Sequence, residues 1–162
     1  MRRSDREVTK LDEIVRIMEK CDVCRLAFRG EDYPYILPLN FGLSFENDRV
    51  ILYFHGADKG KKYELLARDD RVSFEMDCAR RLVVEPGKSS CACTMEYESV
   101  IGKGRLQIVP KEEKYEALCL LMKHYHIKDV SFQETVMAKT TVMKLAVEEV
   151  TGKICRKEQK GA

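Results

Sequence analysis

Apolar residues first recur at Leu11, Ile14, Val15 and Met18, the i, i+3, i+4, i+7 spacing that buries one face of a helix. Thr9 stands where a cap belongs and Asp12 and Glu13 fall in the first turn, so a helix begins there and ends near Cys21. Past that point the pattern becomes β-like. Val23–Phe28 reads as a strand, and Arg29-Gly30-Glu31-Asp32 supplies turn residues. Tyr33–Phe45 reads as one long extended stretch, because Pro34 and Pro38 forbid a helix and mark edges or bulges. After the turn Glu46-Asn47-Asp48, Arg49–His55 is a strongly apolar strand.

Gly56-Ala57-Asp58-Lys59-Gly60 is a loop, and Lys61–Ala67 has the look of a short helix. Arg71–Asp77 alternates, with Val72, Phe74 and Met76 on one side, as a half-buried strand does. A further strand is expected at Arg81–Glu85, a loop at Pro86–Ser90, and a long strand at Tyr97–Val109 bent by Gly102 and Gly104. Pro110 suits the first position of a second substantial helix, whose apolar face would be Tyr115, Leu118, Cys119 and Met122. Ser131-Phe132-Gln133-Glu134 fits a capping box and a short third helix, and Thr141–Val150 returns to strand character. About six strands with short turns and peripheral helices describe a mainly β fold, a small barrel. Such a barrel is filled by its own side chains, so a sizeable ligand belongs outside the lumen, with a subunit interface as a natural place.

At 162 residues the chain suits one domain over 1–162, with 1–8 and 155–162 expected as flexible tails. Net charge is +2 from 29 basic and 27 acidic residues with the signs mixed, which disfavours a nucleic-acid partner. The basic end, Arg156-Lys157-Glu158-Gln159-Lys160, reads as solvated. No run approaches the roughly 20 apolar residues of a membrane span, and the N-terminus lacks an apolar signal core, so a cytoplasmic protein with no membrane partner is expected. Seven cysteines without an export signal read as reduced thiols, with Cys119 as buried filler. Cys21, Cys24, Cys91 and Cys93 could in principle join His124 and His126 around zinc, but the spacings do not suit it, and no metal is expected.

Three segments could carry chemistry. His55-Gly56-Ala57-Asp58-Lys59-Gly60-Lys61-Lys62 ends a strand, turns at glycines and opens a helix; backbone N–H groups and three lysines there suit a terminal phosphate. It is not a Walker loop, since the spacing and the following Ser or Thr are missing. Solvated surface lysines are the plain alternative. Tyr33-Pro34-Tyr35-Ile36-Leu37-Pro38-Leu39-Asn40-Phe41 offers backbone groups and an amide to a planar heterocycle, or is simply a barrel strand ending in a turn. Glu96-Tyr97-Glu98-Ser99-Val100-Ile101-Gly102-Lys103-Gly104 places a hydroxyl beside glycines that admit close approach, or is only a glycine-kinked strand.

Taken together, Pro34-Tyr35…Pro38-Leu39-Asn40-Phe41, Tyr53-Phe54-His55-Gly56-Ala57…Gly60-Lys61-Lys62 and Ser99-Val100-Ile101…Gly104 resemble the nitroimidazole-resistance proteins. These belong to the pyridoxamine 5′-phosphate oxidase-like flavin-binding split barrels, and the likeness spans about residues 8 to 154. The resemblance implies an FMN-binding split β-barrel that works as a homodimer, with the cofactor at the subunit interface and a small-molecule substrate. Pro38, Leu39, Asn40 and Phe41 would lie along the isoalloxazine, and Lys61 and Lys62 would hold the phosphate. Ser99, with Val100 beside it, would assist, and His55 would sit near the ring or substrate as the catalytic candidate. The arginine-rich clamp of true pyridoxamine phosphate oxidases is missing, so that activity does not follow. The implied function is an oxidoreductase that reduces nitro-aromatic acceptors; a non-enzymatic flavin or haem carrier on the same fold is the alternative. A deazaflavin fits less well, because the Lys61-Lys62 loop suits a short phosphate chain.

Overall fold

A computed structural model describes residues 3–84, 87 and 89–157. Its elements are β1 (Glu7–Val8), α1 (Leu11–Met18), β2 (Cys24–Phe28), β3 (Tyr35–Leu39), β4 (Phe41–Glu46), β5 (Arg49–Ala57), α2 (Lys61–Arg68), β6 (Arg71–Val83), β7 (Thr94–Ile108), α3 (Lys114–His124), α4 (Glu134–Ala138) and β8 (Thr140–Cys155). The strands run antiparallel in the order β3-β2-β6-β7-β8-β5-β4, with β1 added to β8. The fold is mainly β with helices outside, the split barrel architecture. Among the described residues no helix is long and apolar enough to cross a membrane.

Asn40 alone separates β3 from β4, yet those two strands occupy opposite ends of the sheet order. One residue reaches only about 3.5 Å, so the sheet has to curl until its two ends meet. The long extended stretch read at Tyr33–Phe45 is therefore two strands that diverge at a corner. Inward positions alternate with outward ones as the pleat requires, and Phe28, Phe41, Phe54, Phe74 and Met76 fill the lumen. α1 closes one side with Ile14, Val15, Ile17 and Met18, each of which contributes roughly 1.5–3 kcal/mol by burial.

Several local expectations are corrected. Lys10, not Thr9, precedes α1, and no side chain caps it. The strands expected at Arg71–Asp77 and Arg81–Glu85 are one, β6, whose register shifts between Cys78 and Arg81 where Ala79 takes φ 54°; Glu85 lies outside the described residues. Lys111–Glu113 form a short 3-10 turn after Pro110, so α3 starts later than Pro110 suggests. α3 buries Ala117, Leu118 and Leu121, whereas Tyr115 is exposed and Cys119 half-buried. Gln133 rather than Ser131 stands before α4.

Glu7 and Val8 pair with Lys153 and Gly152, and Cys155 is a buried strand residue. Arg156 and Lys157 are not loosely solvated. Glu96 and Glu98 point inward from β7; Arg156 Nη2 donates to Glu98 at 2.6 Å, and the Lys157 amide donates to Glu96 at 2.8 Å. Lys20 also donates to Glu98, and Arg81 Nε to Glu96 at 2.8 Å. Burial alone would raise the Glu98 carboxyl, but the hydrogen bonds and charges of Lys20 and Arg156 outweigh it and hold the group below the ordinary glutamate value. The stabilisation is thus complete above that ordinary value and is lost as pH falls through the depressed one. Glu98→Gln should cost about 1–3 kcal/mol in urea unfolding at neutral pH, with the gap to the parent protein closing in acid. Equal stability at neutral pH would contradict the assignment.

Candidate functional site

β5 delivers His55 to the rim of the barrel, where it pairs in register with Val142 and points outward. Gly56 follows, and its missing side chain matters. A Cβ there would stand 2.9 Å from Lys62 Nζ, so the glycine lets the ammonium lie against the strand end beside His55. Gly60, at φ 137°, takes a conformation open to glycine and turns the chain into α2. No side chain caps α2, so its first N–H groups join Lys61 and Lys62 as donors for an anion. Tyr63 fixes the loop by donating its hydroxyl to the Ala57 carbonyl at 2.7 Å. Lys62 Nζ lies 4.4 Å from the Tyr63 ring centroid, and Lys61 Nζ lies 5.4 Å from that of Tyr35. Lys61 and Lys62 therefore make this end of the barrel cationic, with His55 beside them.

The Pro38–Phe41 segment sits at the corner where the barrel closes. β3 pairs only with β2, so half of its backbone groups face away from the sheet. The Pro38 ring is exposed and the Leu39 side chain turns in to pack against the core. Asn40 and Phe41 are engaged by a residue that the sequence did not single out. Tyr125 Oη accepts from Asn40 Nδ2 at 3.1 Å and from the Phe41 amide at 3.2 Å, and it donates to the Asp22 carbonyl at 2.7 Å. Phe41 is 0% exposed, its ring 4.2 Å from the His124 ring. His124 Nε2 donates to the Cys21 carbonyl at 2.8 Å, which ties the end of α3 to the segment after α1. A tyrosine just beyond a helix carries no sequence signal for this role, which only the fold brings about.

Ser99 and Val100 lie elsewhere. Ser99 faces outward between Asp77 and Lys153, close to Arg25, which donates to Glu75 at 3.1 Å and to Asp77 at 3.0 Å. Val100 is 0% exposed and turned into the core, so only its backbone could reach a ligand. Along β8, Ser99 sits opposite Lys153 and His55 opposite Val142. Eleven residues at roughly 3.3 Å each put about 36 Å of strand between the two. Within one chain, Ser99 and His55 therefore pair near opposite ends of β8. Pro38 and Ser99 do share a face: Pro38, Arg25 and Glu75 are successive cross-strand neighbours, ending at Ile101 two residues from Ser99.

All seven cysteines are free, with Cys21, Cys24 and Cys155 buried and Cys91 and Cys93 exposed. Among the described residues no three His, Cys, Asp or Glu side chains converge as metal ligands would. His55 is held below the ordinary imidazole value, first by desolvation against the surrounding protein and then by the Lys62 charge. It is therefore neutral at pH 7, and an anion bound between it and Lys62 would raise its affinity for a proton. In proton-detected titrations the His55 ring should change charge below pH 6.5. Lys62→Gln should move that midpoint upward but leave it short of the free value, because desolvation persists. A midpoint unmoved by Lys62→Gln would remove Lys62 from the site.

The sequence profile of the pyridoxamine 5′-phosphate oxidase family matches residues 10–154. No curated protein sequence is a significant match. Among solved structures, the chain is similar to a candidate 5-nitroimidazole antibiotic resistance protein from Bacteroides thetaiotaomicron. The two are 29% identical at TM-score 0.77, over 91% of this chain and 86% of that one. A FAD- and haem-binding protein from Mycobacterium smegmatis aligns at TM-score 0.82 and 16% identity, over 97% of this chain and 77% of the other. A FAD-binding protein from Mesorhizobium loti aligns at TM-score 0.63 and 24% identity, over 93% and 98%. At those lower identities the likeness is one of fold. With nearly its whole length matched and its sheet closed into the same split barrel, the chain belongs to the pyridoxamine 5′-phosphate oxidase family.

Proposed function

We propose that this protein is an FMN-binding flavoprotein, a homodimer with its cofactor between the subunits, that passes reducing equivalents to nitro-aromatic or similar small acceptors. The observation that carries the reading is the uncapped N-terminus of α2, with Lys61 and Lys62 beside His55 at the rim of a barrel with a filled lumen. The similarity to a candidate nitroimidazole resistance protein, and to flavin-binding proteins of the same fold, supports it. The residues suit the group: a glycine leaves room for the ammonium, and the cations and helix N–H groups match a phosphate. A bound flavin would supply the redox chemistry itself.

The chain's own contribution is binding, orientation and proton control. Lys61, Lys62 and the first amides of α2 neutralise the phosphate. The free edge of β3 offers the ring edge those backbone groups that do not pair with β2, while the Asn40 amide and the Phe41 N–H remain with Tyr125. His55, neutral at pH 7, can hold and release a proton next to the reacting face. Ser99 and the Val100 backbone would come from a second copy, because the contour of β8 separates them from His55 within one chain. An acceptor entering between the two barrels would then meet flavin on one side and little water on the other.

Lys62→Glu should weaken FMN binding by about tenfold or more, roughly 1.4 kcal/mol, and Ser99→Asp should weaken it too. Mixing the two variants should restore tight binding to one site in each mixed dimer, because one site then keeps both native residues. No recovery on mixing would put Lys62 and Ser99 in the same subunit's site, and unchanged FMN binding by Ser99→Asp alone would place Ser99 outside it. With parent protein under anaerobic conditions, NADH should bleach the bound flavin and a nitroimidazole should restore its colour. Flavin that stays reduced after nitroimidazole addition would argue against this class of acceptor.

A further inference from the structure

α2 turns Lys61, Glu64, Leu65 and Arg68 to one side, the i, i+3, i+4, i+7 face of the helix. Opposite this face stands the turn between β2 and β3, and the space between them is an open groove of about 330 Å³. Gly30, Glu31, Asp32 and Tyr33 form its other wall. Lys61 belongs to this groove and also to the cationic end where the flavin phosphate is placed, so the two spaces share a cation.

The layout of charge and surface in the groove is uneven. Tyr33 is 85% exposed at its edge, a flat ring open to water. The carboxylates of Glu31, Asp32 and Glu64 line its walls, and Arg68 is held in place by donating to Glu31. With Arg68 already paired to Glu31, a ligand made only of phosphates would meet Lys61 and then the Asp32 and Glu64 carboxylates, which repel it. A plain apolar ligand would leave them facing nothing. A nucleoside with a phosphate at one end matches what the Arg68–Glu31 pair leaves, namely Tyr33, Asp32, Glu64 and Lys61. Its base stacks on an aromatic ring, its hydroxyls and exocyclic amine donate to carboxylates, and its phosphate meets Lys61. The size agrees: small-molecule sites run from about 300 to 1,000 Å³, so this groove suits a nucleoside and not a whole dinucleotide.

We propose that the groove between α2 and Gly30–Tyr33 takes the adenosine phosphate half of a dinucleotide whose other half lies at the flavin site. The inference rests on the flavin reading above and extends it. The adenosine belongs either to the flavin itself, as FAD, or to the nicotinamide dinucleotide that reduces it. In both cases Lys61 sits at the joint between the two halves.

The test uses full-length protein stripped of flavin, and a Tyr33→Ala variant, each titrated with FMN and with FAD. NADH-driven reduction of the flavin-loaded proteins is then followed by stopped flow. FMN affinity should be the same in both proteins, since Tyr33 lies outside the phosphate and ring contacts. If FAD is the occupant, the parent protein should bind it more tightly than FMN by about tenfold, the scale of one base–aromatic stack, and Tyr33→Ala should remove the difference. If the donor is the occupant, FAD and FMN should bind alike, and Tyr33→Ala should raise the half-saturating NADH concentration by a similar factor at an unchanged limiting rate. Either result supports the assignment. If FMN binds but Tyr33→Ala moves neither quantity, the groove is not a nucleotide site. If neither flavin binds the parent protein, the flavin reading fails and the groove assignment falls with it.

Discussion

A single residue has to join two strands that the sheet order puts at opposite ends, and this constraint shapes the molecule. Because Asn40 cannot span a flat sheet, the strands curl until β3 and β4 meet, and the inward side chains close over a lumen with no room for a ligand. A corner this tight must be held. Tyr125 holds it through Asn40, the Phe41 amide and the Asp22 carbonyl, while His124 joins the same end of α3 to Cys21. A sizeable ligand is thereby left to the outer surface, and the proposed site lies at the rim where β5 runs into α2.

The same closure distributes the candidate residues. β8 is 16 residues long and pairs with β5 near its start and with β7 along most of its length. His55 and Ser99 are thus fixed at distant points of one strand ladder, although both belong to motifs that share a resemblance to one family. A second barrel packed against the outer face of β3, β2, β6 and β7 is the simplest way to reunite them. That face carries Pro38, Arg25, Asp77 and Ser99 along with the exposed Ile36 and Ile101. Apolar side chains scattered on such a face would lose water to a partner of the same shape.

Much of the fold was legible in the sequence because periodicity records which face is buried. The stripe of Leu11, Ile14, Val15 and Met18 gave α1, and the alternation from Val72 to Met76 gave the inward face of β6. The failures have physical causes. Tyr33–Phe45 reads as one long extended stretch because pattern does not register a corner, and Asn40 looks like any turn residue. The bulge after Cys78 keeps β6 continuous where composition suggests a break. α3 turns Ala117, Leu118 and Leu121 inward because His124 and Tyr125 lie on that side and their hydrogen bonds set the rotation of the helix. Arg156 and Lys157 are bound because Glu96 and Glu98, charged residues at inward positions, need partners. As for the site, the local cluster of His55, Lys61 and Lys62 was legible because it is contiguous in sequence. The engagement of Asn40 and Phe41 by Tyr125 was not, since it joins residues 84 and 85 positions apart.

On the proposed function, a phosphate-bearing cofactor would be gripped where α2 begins and its site completed by a neighbouring barrel. Size-exclusion chromatography with light scattering, recorded also at a visible flavin wavelength, tests this most directly. The account predicts that flavin colour coincides with a particle of twice the 18.8 kDa chain mass. A particle of the single-chain mass, colourless after incubation with FMN and FAD, would contradict it.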